Sequence, residues 1–507
     1  MYFCSSMKKL CLFLLLCCTI VAQAERKFNE RPKLVVGIVV DQMRWDYLSR
    51  YYDQFDDDGL KRLVDDGFSC DNCLINYLPT VTAIGHTSIY TGTTPAFHGI
   101  CGNSFYVNGV MRSSCEDPDV RTVGSDKKSA SSPINLLAST IGDALRLHTD
   151  FKSKVVSVSY KDRAAILPGG RGANAAYWID TKNGQFITST WYMDELPAWV
   201  KAYNADMKKN KELAKVGEEV GSYPLCGHLI TDMAIASLKG ENLGKGVDTD
   251  MLCVSYSQTD VIGHEWGTRG DHTDEAYLEL DKDVSRLLKA LDAQVGEGNY
   301  LLFLTADHGA AHNFKFMEDH KFNAGAWKWQ NKYVVEVEKR LAERFGKKPV
   351  IKDMLDYRIV LDKESIREQG LDEQMVREVI VEELLKLPHV AFAFDYKNAA
   401  LAPVPQLLRE RALNGYHYDR SGDIIFMLEP GFYNFSRWSS PTGTTHGEWN
   451  PYDAHIPLLF YGWKVEHGST SREVHITDIA PTVCQKLHIQ QPNACIGEAI
   501  TEIIEGH

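Results

Sequence analysis

Beyond its first two dozen residues, this 507-residue sequence contains no apolar run long enough to cross a bilayer as a helix, no tandem repeat and no low-complexity tract. Those absences exclude a polytopic membrane protein, a solenoid and a disordered chain. Net positive charge is also missing: 55 Lys and Arg stand against 68 Asp and Glu, a formal charge of −13. An acidic surface repels a phosphate backbone, so nucleic acid binding is not expected. Cysteine is sparse, with 12 in all. Four fall in the first 18 residues, and the eight that follow (Cys70, Cys73, Cys101, Cys115, Cys226, Cys253, Cys484, Cys495) are an even number that permits disulfides in an oxidising compartment. Cys484 and Cys495 would close a short loop and form the best candidate pair, whereas Cys253 in "MLCVSYS" reads as a buried thiol.

What is present begins with "MYFCSSMKKLCLFLLLCCTIVAQAERKF": two lysines, an apolar core from Leu10 to Val21, then Ala22 and Ala24 around a cleavage site. Residues 1–24 read as a signal peptide, and 25–507 as one exported, periplasmic or secreted catalytic domain. A lipid anchor at Cys18 is the weaker alternative. Losing the segment removes Lys8 and Lys9 and moves the formal charge from −13 to −15.

Several short apolar runs end abruptly in polar residues: "KLVVGIVVDQ" at Asp41, "KVVSVSYKDR" at Lys161 and Arg163, "MLCVSYSQTD" at Asp260, and "YLLFLTADHG" at Asp307 and His308. Continuous apolar runs of this length suit a parallel sheet covered on both faces. Between the last two, Leu280, Val284, Leu287, Leu288, Leu291 and Val295 form one helical stripe that Gly296 and Gly298 can end. The expected fold is therefore α/β, a doubly wound and mostly parallel sheet with helices on both faces. Residues 105–153 and 164–225 read as cap insertions, and about 315–430 as a small α/β insertion. In such sheets functional residues gather beyond the carboxyl ends of the strands.

The polar residues at these ends share one chemistry. Asp260 and His264, Asp307 with His308, Asp41 and His446 mix carboxylate oxygens with imidazole nitrogens, a donor set for a borderline divalent ion such as Zn2+, and six ligands suffice for two ions. Near them "NYLPTVTAIGHTSIYTG" (76–92) offers Thr80 and Thr82, with His86 as a local base. A threonine hydroxyl needs a base or a metal to act as a nucleophile, and its bland role here is to cap the following helix.

The ordered set "VVDQM", "LPTVTAIGH", "TGTTPAFHGICGN", "TDVIGHEWG", "TADHG" and "TTHGEW" resembles the alkaline phosphatase superfamily in its type I phosphodiesterase/nucleotide pyrophosphatase-like branch. With "SYKDRAAILPGG" it is most similar to bacterial periplasmic phosphate-irrepressible alkaline phosphatases that use a threonine nucleophile. The resemblance covers most of residues 33–465. It implies two zinc ions, one on Asp260, His264 and His446, the other on Asp41, Asp307, His308 and Thr82. It further implies that Thr82 rather than Thr80 is the nucleophile, and that Asn103, Lys161 and Arg163 bind the phosphoryl oxygens. The implied reaction is hydrolysis of small phosphate monoesters through a phosphothreonine. Alternatives are a phosphodiesterase or nucleotide pyrophosphatase, a sulfate or phosphonate ester hydrolase, and a non-catalytic metal- or glycan-binding protein. His86 reads as structural, and His455 stays unassigned.

Overall fold

The strand Leu34–Val40 (β1) is buried along all seven residues, as a central strand covered on both faces must be. In the computed structural model, which describes residues 30–127, 130–346, 348–435 and 439–505, β1 lies inside a ten-stranded sheet. Residues 1–24, read above as a signal peptide, lie outside the described residues. Val155–Ser159 (β2), Asp250–Tyr256 (β3) and Tyr300–Thr305 (β4) follow in the chain. Across the sheet they run β4, β1, β3, β2, all parallel.

Because β1 has the later strands β3 and β4 on either side, the connections leave it in both directions, and a crevice opens beyond the carboxyl ends. The crossover between β3 and β4 is the helix Asp271–Gln294, and its stripe of Leu280, Val284, Leu287, Leu288 and Leu291 is buried in the core as the spacing predicts. Gly37 in the middle of β1 has a specific job. A Cβ there would sit 2.4 Å from the Tyr90 hydroxyl and 2.6 Å from the Phe303 ring, so only glycine lets the helix Thr82–Thr91 (α1) settle onto the sheet.

Two expectations change. Residues 164–225 are not simply a cap: Ala175–Asp180 pairs in parallel with β2, Gln185–Ser189 pairs antiparallel with it in turn, and both are fully buried strands of the main sheet. "ANAAYWID" has the buried-strand pattern, but the Gly-, Asn- and Trp-rich stretches around it hide it. In 105–153 the hairpin Ser104–Val107/Val110–Ser113 does stand apart, whereas Ile141 and Leu145 of the helix Ile141–His148 join the main core. The third segment, about 315–430, does carry its own four-stranded sheet, in the order Ile351–Leu355, Arg358–Leu361, Ile424–Leu428, Val390–Asp395, over a separate core that includes Trp327, Ile359, Val376 and Phe426. All eight described cysteines are free thiols, Cys484 and Cys495 among them, and Cys253 is buried as expected.

Candidate active site

Each parallel strand hands one chemical group to the crevice. Asp41 follows β1 directly, and its backbone N–H donates to the Tyr256 carbonyl at 3.0 Å, tying it to the end of β3. Lys161 caps the helix Asp162–Gly169 after β2. Asp260 lies in the first turn of Gln258–Trp266 (α2), so His264 falls one turn later on the same face, its Nε2 at 3.2 Å from Asp260 Oδ1. Asp307 and His308 follow β4, both fully buried. His446 comes from the distant loop before Pro451, and its Nε2 reaches Asp260 Oδ1 at 3.5 Å.

The three imidazoles are held alike. His264 Nδ1 bonds the Thr444 carbonyl at 2.9 Å, His308 Nδ1 that of Gly309 at 3.0 Å, and His446 Nδ1 that of Thr80 at 2.7 Å. A carbonyl only accepts, so in each neutral ring the proton sits on Nδ1 and the Nε2 lone pair is left for a cation. Two carboxylate oxygens, Asp41 Oδ1 and Asp307 Oδ2, are buried with no hydrogen-bond partner among the described residues. Buried carboxylates without donors, facing imidazole lone pairs, form a donor set that fits a divalent metal.

Among the described residues two groupings bring their ligand atoms within 4.8 Å of one another: Asp260, His264 and His446, and Asp41, Asp260 and His308. In the second, Asp260 takes the place given to Asp307 by the resemblance. Asp307 Oδ2 lies beside it, 3.5 Å from His308 Nε2 and 3.1 Å from His86 Nδ1. Asp260 thus stands between the two groups and can serve either.

The charges are arranged accordingly. Burial, together with Asp260 and Asp307, pushes the Asp41 carboxyl well above the usual carboxylate range. Burial acts the same way on Asp260, but His264, Lys161 and His446 override it and hold that group well below. Burial lowers both His308 and His446, favouring the neutral rings that ligate metals. On Lys161 burial is outweighed by Asp260 and Asp41, which raise it.

Thr82 opens α1, 1% exposed, with its Oγ1 3.5 Å from His308 Nε2. The cap position is Val81, so Thr82 is the first residue of the helix rather than its cap. Thr80 is occupied elsewhere: its hydroxyl donates to the Glu448 carbonyl and accepts from the Gly447 N–H, both at 3.1 Å. His86 bonds the Thr82 carbonyl through Nδ1 at 2.9 Å and the Ser255 hydroxyl through Nε2 at 2.7 Å, so it braces the helix start. Asn103 accepts the Ala83 N–H at 3.0 Å through Oδ1, which fixes the amide and leaves its NH2 as donor. Arg163 Nε is buried without a hydrogen-bond partner among the described residues. His455 stacks on Trp45 and bonds the Asp71 carbonyl, away from the ligands.

Lys161 departs from the expectation. Rather than standing clear for a phosphate, its Nζ lies 2.6 Å from both Asp41 Oδ2 and Asp260 Oδ2. Its ammonium supplies positive charge to two buried carboxylates. One participant was missed in the sequence. Gln42, with φ +67°, donates from Nε2 to Asp260 Oδ1 at 2.6 Å and from its backbone to Asp307 Oδ1 at 3.1 Å. It has room only because residue 263 is glycine: a Cβ there would be 2.0 Å from Gln42 Oε1.

Residues 35–452 match the type I phosphodiesterase / nucleotide pyrophosphatase family. A protein of Myroides odoratus named calcium-transporting ATPase is 43% identical over 94% of this chain and 95% of its own. Alkaline phosphatase PhoV of Synechococcus elongatus is 40% identical over 94% and 93%. The crystal structure of wild-type alkaline phosphatase PafA superimposes with a TM-score of 0.90 at 38% identity, covering 94% of this chain and 99% of that one. No helix among the described residues is long and apolar enough to cross a membrane.

Proposed function

The chain belongs to the type I phosphodiesterase / nucleotide pyrophosphatase family, and from that premise we propose how it acts as an alkaline phosphatase, hydrolysing small phosphate monoesters through Thr82 with two zinc ions. The activity rests on the alkaline phosphatases that match it over nearly their whole length. The observation that supports the monoester reading is the cation Lys161 at the site, with Arg163 close enough to it to be felt as a like charge. Lys161 lies among the ligand carboxylates, and two residues on, Arg163 has a buried Nε with no hydrogen-bond partner among the described residues. A monoester presents one more anionic oxygen than a diester, and buried donors of this kind are used by that oxygen.

Asp260, His264 and His446 would hold one ion, and Asp41, His308 and Asp307 the other, with Thr82 beside it. When bound, the ions lower the pKa of the threonine hydroxyl and offset negative charge on the phosphoryl oxygens. Thr82 Oγ1 attacks phosphorus, the ester P–O bond breaks and the alcohol departs. Water then cleaves the phosphothreonine, releasing inorganic phosphate and restoring the hydroxyl. The position of Thr82 at a helix start places backbone N–H groups and the positive end of the helix dipole near the incoming phosphate. Asn103, fixed through its Oδ1, donates its NH2 to one phosphoryl oxygen, while Arg163 and Lys161 take another. The N-terminal segment directs the enzyme to the periplasm or beyond.

The test is a panel of mono- and diesters with the purified zinc-loaded enzyme, alongside metal analysis. We expect about two equivalents of zinc, loss of activity on chelation, and a monoester preference. Lys161→Ala and Arg163→Ala should each narrow that preference by about two to three decades. A wild type that prefers diesters, or full activity with one ion or none, would overturn the reading.

A further inference from the structure

Asn103 and His446 also line a cavity of about 360 Å³ whose opposite wall is a single turn, Met354 to Tyr357, contributed by the small four-stranded domain. The cavity shares these two residues with the candidate phosphoryl site, so it adjoins the place the alcohol of a bound ester would occupy. The turn joins Ile351–Leu355 to Arg358–Leu361 through Asp356 and Tyr357, at φ +45° and +63°. Two successive left-handed residues give the tight hairpin that suits strand twist. Aspartate tolerates that region, whereas a bulky residue such as Tyr357 is held there against its preference.

What holds Tyr357 is contact with the site. Its hydroxyl accepts the Asn434 N–H at 2.9 Å, its ring meets Phe426 edge-on, and a Cβ at Gly447, next to His446, would lie 3.3 Å from that ring. Asp356 is wedged on the other side: a Cβ at Gly102, next to Asn103, would lie 2.7 Å from Asp356 Oδ2. The turn is therefore clamped between the Asn103 loop and the His446 loop. Its one charged group facing the cavity is Asp356, whose side chain is 31% exposed. The nearest countercharge, Arg358, is 1% exposed beneath it, and the Arg358 Nη2 at 3.5 Å from the carboxylate already donates to the Cys101 carbonyl at 2.6 Å.

We propose that Asp356 determines leaving-group selectivity, favouring phosphate monoesters whose alcohol carries an ammonium group over those whose alcohol carries a second anion. The proposal rests on the monoesterase reading. The carboxylate lines the path of the leaving alcohol, while its partner guanidinium is turned to the backbone. An ammonium on the alcohol gains a partner there, and a carboxylate meets a like charge that Arg358, 3.5 Å away and already bonded to the Cys101 carbonyl, offsets only in part.

The experiment compares kcat/KM for phosphoethanolamine, glycerol phosphate and phosphoglycolate at about pH 8, well above the usual carboxylate range, because burial pushes the Asp356 carboxyl up against the pull of Arg358. Wild type should rank them in that order. Asp356→Asn should lower the ratio of the first to the third by at least about tenfold, about 1.4 kcal/mol, and Asp356→Glu should retain most of it. Should Asp356→Asn not fold, wild type alone decides, since a charge-based ratio must shrink as salt is added. Hydrolysis of all three esters with a ratio unchanged in folded Asp356→Asn, or a salt-independent ratio, overturns the role of Asp356 alone. Failure of wild type to cleave any of the three while cleaving diesters overturns the monoesterase reading and this proposal with it.

Discussion

Replacing Lys161 by methionine keeps most of the buried stem and removes the ammonium. That ammonium sits 2.6 Å from Asp41 and 2.6 Å from Asp260, and its side chain is 8% exposed. Removing one partner from a buried ion pair costs about 3–5 kcal/mol, because the remaining charge stays buried and unpaired. Here two carboxylates lose their cation at once. Asp41, already pushed up by burial and its acidic neighbours, can take up a proton and absorb part of the loss, which places the expected cost at the low end of that range. Unfolding a chain of 507 residues carries an entropy of about 1 kcal/mol per kelvin, so the melting temperature should fall by about 3 °C. With zinc bound, the ions provide the missing positive charge, and the loss should shrink to less than half. Calorimetry of wild type and Lys161→Met, each with chelator and with zinc, reads both numbers. An equal loss in the two states, or none in the metal-free state, would refute the assignment of Lys161 as the stand-in cation.

Gly263→Ala would drive a Cβ into Gln42, 2.0 Å from its Oε1, and displace the donor that orients Asp260. It and Gln42→Ala should each weaken zinc retention by about 10- to 100-fold in competition with a chelator, and unchanged retention would count against that orienting role. Thr80→Ala loses two buried hydrogen bonds and should destabilise the fold by about 1–3 kcal/mol in denaturant titrations while keeping kcat within about tenfold, since Thr80 touches no reacting atom. Burial, with Lys464 nearby, depresses Lys486 from 10.5 to about 8 in the folded state. A cation depressed on folding is more protonated in the unfolded chain, so stability should rise between about pH 8 and the unfolded value. Lys486→Met should be more stable than wild type below pH 8, and the gap should close toward pH 10.5 in melting curves. A gap that does not change with pH would show that packing rather than charge separates the two.

The strand ends were readable because a buried parallel strand and its first polar residue write an abrupt boundary into the sequence, which is how Asp41, Lys161, Asp260, Asp307 and His308 could be placed in one crevice. Convergence of His446 and Thr82 on the same point came from the resemblance, since no local pattern brings residues over 360 positions apart together. Gln42 was not readable. Its role depends on a left-handed backbone and on a missing Cβ two hundred residues away, neither of which has a periodicity. The double contact of Lys161 was hidden for a related reason, because a Lys-x-Arg pair states its charge but not which anions it meets in the folded chain. Ala175–Asp180 escaped as a strand of the main sheet because its pattern is short and flanked by glycine-rich loops. The Asp356 turn belongs to a separate small sheet, and only the tertiary fold brings it against Asn103 and His446.

The claim at the centre of this account is that Thr82 attacks phosphorus. A zinc-loaded enzyme mixed with a radiolabelled phosphate monoester, quenched in acid during turnover and digested, places the covalent phosphate on one peptide. The account predicts label on the peptide containing Thr82, absent from Thr82→Ala and recovered on serine in Thr82→Ser. Label on any other residue, or full turnover by Thr82→Ala, would contradict it.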